Sequence, residues 1–122
     1  MIDRPLQTPL PLAAYGLEEA EVAPLAGGVI NRAYLVSRGT ARYVLKEYSG
    51  RRPMTPERIG VVCQAQVLAR ERGVPVPRVV SQRNGAMFAE VNGVYFVLSE
   101  YVAGRAQYWE VQDLNLVLRQ DF

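Results

Sequence analysis

Fourteen basic and twelve acidic side chains in 122 residues leave a formal charge of only +2. That is too mixed a balance to argue for a nucleic-acid partner. The chain has no histidine and a single cysteine, Cys63, which excludes histidine-based catalysis, an internal disulfide and a cysteine-cluster metal site. With 49% apolar and 21% charged residues, the composition is that of an ordinary soluble domain with one core.

The opening stretch, MIDRPLQTPLPL, is broken by Pro5, Pro9 and Pro11 and does not read as a secretion signal. No run approaches membrane-spanning length, so a reducing cytoplasm is the expected location and no membrane partner is expected. Residues 1–9 read as a loose arm and residues 10–17 as a short helix, with Leu10, Ala13, Ala14 and Leu17 on one side. Residues 19–25 suit a strand that ends at Ala26-Gly27-Gly28. Residues 31–37 suit a second, and the turn at Arg38-Gly39 leads to a third over 41–48. Three strands with short links predict an antiparallel meander.

After a basic loop over 49–54, Thr55-Pro56-Glu57 marks a helix start: a capping hydroxyl, proline at the first position, and an acid in the first turn. The helix should run to Arg72 and stop at Gly73, with Pro75 and Pro77 forbidding continuation. Glu57, Gln64 and Glu71 share a polar stripe, and Ile59, Val62, Cys63 and Ala69 lie broadly opposite, so one face should lie on the sheet. Residues 78–82 begin a second group of strands. Asn84-Gly85 and Asn92-Gly93 are hairpin signals that bracket 86–91, and 94–102 follows as a long, mostly buried strand. The expected class is α+β: three strands, one main helix (55–72), then two or three more strands. The domain should occupy 1–104, with its core over 19–104. A helical tail over 105–122 follows, rich in Tyr108, Trp109, Val111, Leu114, Val117 and Leu118. Nothing beyond it covers that apolar surface, so a homodimer or higher oligomer through the tail is expected.

Chemistry concentrates on the third strand, ARYVLKEY. Alternation puts Val44 and Lys46 on one face and Tyr43 and Leu45 on the other. A lysine on a half-buried strand either meets an anion or carboxylate, or covers apolar surface with its stem while the ammonium reaches water.

Four stretches taken together, PLAGGVINRAYLV, YVLKEY, VLARERGVPVPRVV and NGAMFAEVNGVYFVLSEYVAG, resemble the nucleotide-binding lobe of the aminoglycoside phosphotransferase and choline kinase family. Within it, the homoserine-kinase-like and spore-coat-kinase-like members are the most similar. The resemblance covers about two thirds of the chain and implies a protein-kinase-like N-lobe, an antiparallel sheet of about five strands with the 55–72 helix packed on it. It implies ATP and magnesium as the family's cofactors, and a hydroxyl compound as phosphoryl acceptor.

By the same resemblance Lys46 pairs with the α- and β-phosphates. Gly27 and Gly28 let backbone N–H groups approach a phosphate, unless they only form a hairpin turn. Asn31 donates to a phosphate oxygen or shapes that turn. Ser99, Glu100, Tyr101 and Val102 correspond to the hinge, where main-chain groups meet the adenine edge, residues 100–102 holding it, with Ile30, Val44 and Leu98 as apolar walls. The bland alternative for the hinge is a core strand leaving the sheet.

Two parts of the family pattern have no match. The helix glutamate that holds the lysine falls near Val61, where the only nearby polar residues are Gln64 and Gln66. The catalytic loop and metal-binding aspartate belong to a C-terminal lobe, and Asp113 and Asp121 match neither. No residue here is therefore assigned as catalytic or metal-binding. The expectation is an ATP-binding lobe, catalytically incomplete by itself. The alternative is a kinase-like module kept for interaction or oligomerisation. Nucleic-acid binding through Arg51, Arg52, Arg70, Arg72 and Arg78 lacks an aromatic platform, and these read as a solvated face.

Overall fold

A strand that is covered on both faces loses its simple in-out alternation, and the last predicted strand behaves in that way. The computed structural model describes residues 9–25, 32–48 and 54–102. Within them β1 (Glu21–Leu25), β2 (Arg32–Arg38), β3 (Ala41–Tyr48), α1 (Pro56–Glu71), β4 (Val79–Val80), β5 (Ala89–Val91) and β6 (Val94–Glu100) follow in order. The strands form one antiparallel sheet, β1-β2-β3-β6-β4, and β5 pairs with the same β6. The meander of three strands, the single long helix and the three later strands agree with expectation. The small-lobe, kinase-like α+β fold therefore stands, with six strands where about five were expected.

One face of the sheet takes the helix. Ile59, Val62, Cys63, Ala65 and Ala69 pack against Val79, Tyr95 and Val97. Leu17, Tyr34, Val36, Leu45, Ala89, Phe96 and Leu98 form the opposite layer, joined by Leu10, Leu12 and Tyr15 from the N-terminal segment. Residues 95–99 of β6 are all buried. The central strand thus reads as an unbroken apolar run because both layers meet on it.

The helix ends were legible for local reasons. Thr55 Oγ1 accepts from the Arg58 N–H at 3.1 Å, satisfying a donor that the first turn leaves without an intrahelical partner. At the other end Gly73, at φ +86°, donates to the Arg70 carbonyl, and Val74 donates to that of Ala69. This pair of bonds is a Schellman stop, and glycine adopts the left-handed conformation it needs at no steric cost. Glu57, Gln64 and Glu71 are exposed as the periodicity predicts.

Two expectations are corrected. Residues 10–17 form only a 3-10 turn over Ala13–Tyr15. Pro11 donates no hydrogen bond and steers Leu10 away from helical backbone, while Gly16 turns left-handed at φ +72°. Asn84-Gly85 makes a turn, with Gly85 N–H donating to the Gln82 carbonyl and Asn84 Oδ1 accepting from Ala86 N–H. It does not join two paired strands. β4 and β5 instead divide one edge of β6 between them, Val79 facing Ser99 and Ala89 facing Phe96. The intervening loop is held by its own contacts, among them Gln82 Nε2 to the Phe88 carbonyl and the Cys63 thiol to the Met87 carbonyl. By contrast Asn92-Gly93, at φ +52° and +83°, closes a true hairpin of the mirror-image turn type, with Val91 facing Val94.

Candidate functional site

β3 carries Val44, Lys46 and Tyr48 on the helix side of the sheet, and its register sets Ser99, Val97 and Tyr95 opposite them. Val44, Lys46, Tyr48, Val97 and Ser99 line a cleft of about 20 Å³, completed by Gln66 from α1 and Pro77 from the chain entering β4. Lys46 is half-buried, with Nζ 5.8 Å from the centre of the Tyr48 ring, a contact that favours a cation over an aromatic face. The neighbouring acid turns the other way. Glu47, 2% exposed, accepts from the Tyr34 hydroxyl at 3.2 Å and lies 3.9 Å from the Arg32 guanidinium. Successive strand residues therefore send a cation to one layer and a paired carboxylate to the other.

The polar residues near the expected position of the lysine's helix partner separate clearly by burial. Val61 is 60% exposed and Gln64 is also exposed, whereas Gln66 is 3% exposed. Its amide nitrogen donates to the Pro77 carbonyl at 2.6 Å and to Ser99 Oγ at 3.1 Å. A buried primary amide needs such partners. The available signal was its place among Ile59, Val62, Cys63 and Ala69 at helical spacing, where a polar residue is out of character.

Residues 100–102 leave β6 beside this cleft. Glu100 binds the Arg78 guanidinium through Nε at 3.0 Å and Nη2 at 2.5 Å, and its N–H donates to the Arg78 carbonyl. The Tyr101 N–H donates to the Arg42 carbonyl, and the Arg42 guanidinium lies 5.9 Å from the Tyr101 ring centre. Two amides of the expected hinge are thus engaged within the fold. The fork of Arg78 holds the Glu100 carboxyl below its ordinary range, the hydrogen bond being the main cause. A carboxyl lowered in this way adds stability above its unfolded value and loses it as pH falls through the folded one. The stability difference between wild type and Arg78→Ala should therefore be small near neutrality, because the pair is exposed, and should vanish as pH falls through and below the lowered Glu100 titration. Urea unfolding across that range measures it, and a difference that grows on acidification would contradict the pairing.

Val44 lies where a wall of the cleft was expected. Leu98 does not: it is buried in the opposite layer against the strand partner Leu45. With both faces of β6 covered, apolarity gives no phase, and the pairing of Val44 with Ser99 decides it. Gly27, Gly28, Ile30 and Asn31, and the tail over 105–122, lie outside the described residues. Cys63 is no nucleophile, since burial pushes its thiol up to about 12. Among the described residues no group of three potential metal ligands converges, and no helix is long and apolar enough to cross a membrane.

The same architecture occurs in solved kinases. The structure of a microcompartment-associated aminopropanol kinase is similar over 76% of this chain, with 25% sequence identity and a TM-score of 0.68. A spectinomycin phosphotransferase, solved with ADP and spectinomycin, is similar over 77% at 12% identity and a TM-score of 0.56, a likeness of fold. The matches span 30% and 28% of the lengths of those two proteins. No curated protein matches the chain. The sequence profile of the phosphotransferase enzyme family matches residues 21–119, and this chain belongs to that family.

Proposed function

We propose that this chain supplies the nucleotide-binding part of an ATP-dependent phosphotransferase whose acceptor is a small hydroxyl compound. The observation that carries the reading is the placing of Lys46 and Val44 on one strand face, beside residues 100–102, in a fold shared with the aminopropanol kinase. Val44 and Val97 offer an apolar surface to a base, and Lys46 a point charge to phosphate. The Glu100 and Tyr101 N–H groups are engaged, so the proposed main-chain contacts to adenine are the Val102 N–H and the Glu100 carbonyl. Gly27, Gly28 and Asn31 would hold the remaining phosphate oxygens.

Among the described residues no three potential metal ligands converge, and the cleft lining carries no carboxylate. Its polar side chains are those of Lys46, Tyr48, Gln66 and Ser99. Binding is the role proposed for these residues. The cleft's volume of about 20 Å³ is close to that of a single water, so most of a nucleotide would lie outside its inner end.

Titration with ADP and magnesium, followed by ¹H–¹⁵N shifts, tests the reading. Perturbation centred on Lys46 and the 100–102 amides at nucleotide concentrations up to about 1 mM is expected, a weak affinity of roughly −4 kcal/mol. Shifts confined to exposed arginines, or no shifts, would defeat it.

A further inference from the structure

The buried amide of Gln66 does more than fill a gap in the helix face. We propose that Gln66 is a positioning residue that ties α1 to the hinge through Ser99, so that nucleotide in the cleft and the seat of the helix are coupled. The inference rests on the nucleotide-binding reading above and adds to it a residue and a regulated element.

Pro77 and Ser99 each immediately precede a residue of the Arg78–Glu100 clamp, and Gln66 bonds to both. One amide nitrogen, with two hydrogens, thereby joins the helix to the two strands that position residues 100–102. The amide orientation follows from chemistry, because only the nitrogen can face the Pro77 carbonyl. Ser99 Oγ accepts from that nitrogen, so its own proton is turned away from Gln66. Ser99 also lines the cleft with Lys46 and Val44, and there the hydroxyl proton can be donated to an acceptor on the base. A ligand that engages the Ser99 hydroxyl strengthens its acceptance from Gln66, and this carries occupancy to α1. The helix, whose buried face holds Ile59, Val62, Cys63, Ala65 and Ala69 beside Gln66, is the element whose seat responds.

The experiment uses the whole chain, ADP with magnesium as the probe, and the variants Ser99→Ala, Ser99→Thr and Gln66→Met. In wild type, nucleotide should shift the Gln66 side-chain amide and the backbone amides of 59–69, besides those of the cleft. Ser99→Ala should bind about tenfold more weakly, with cleft shifts kept and helix shifts lost. Ser99→Thr, which retains the hydroxyl, should stay within about threefold of wild type and keep the helix shifts. A purely structural role would lower the melting temperature without separating alanine from threonine in affinity. Gln66→Met removes both bonds and should behave as Ser99→Ala does; if it fails to fold, the serine pair still decides. Wild type blind to nucleotide overturns the binding reading and this inference with it. Wild type that binds while Ser99→Ala binds equally well, or with helix amides unmoved, overturns this inference alone.

Discussion

Lys46→Met is expected to weaken nucleotide binding about ten- to a hundredfold, the loss of a charge-assisted contact with phosphate. Methionine keeps most of the stem that packs in the cleft with Val44 and Tyr48, so the melting temperature should change little. The two readings of this lysine then separate. A side chain that only covers apolar surface would leave affinity unchanged. Calorimetric titration of ADP and magnesium into both forms makes the measurement, and equal dissociation constants would remove Lys46 from the site. Lys46→Arg should restore charge but not full affinity, because a planar guanidinium does not present its donors as an ammonium does.

The largest effect on stability should come from Phe96→Ala. Phe96 is fully buried, lies on the central strand, and is among the largest side chains so enclosed. Its loss removes transfer energy and leaves a cavity, at a cost of about 3–5 kcal/mol. Domains of this size have roughly 5–15 kcal/mol in total, so the variant should be partly unfolded at 37 °C or melt far below wild type. Val61→Ala is the control: at 60% exposed it should stay within about 0.5 kcal/mol. Circular dichroism during urea unfolding compares the two. Similar midpoints for both variants would mean that the two-layer core does not centre on β6.

Legibility in the sequence followed how local each cause was. Thr55, Pro56 and Gly73 act through bonds to residues a few positions away, and the helix was therefore read nearly to its ends. β3 was read with its observed bounds, and Asn92-Gly93 closed the hairpin it predicted. The division of one β6 edge between β4 and β5 depends on partners far apart in sequence, which no local pattern encodes. The side on which Leu98 lies, and the burial of Gln66 where Gln64 is exposed, likewise depend on register and on the layer that meets each face. For the candidate site, Lys46 and Val44 came from alternation within one strand. Val97 and Pro77 joined them only through pairing and packing, and Ser99, expected only as the start of the hinge segment, enters the cleft through its pairing with Val44.

β1 ends the sheet on the side away from β6, and it contains Pro24 opposite Tyr34. Because proline has no N–H to give, it is accommodated where that donor would point away from the paired neighbour. Among the described residues no strand pairs beyond β1; that edge is interrupted in its row of donors at Pro24, and Glu21 begins the same strand with a charge. Such an edge is a poor template for a strand from another molecule. A short, largely exposed ribbon is thus made a less apt seed for aggregation by an imino acid and a charge at its start.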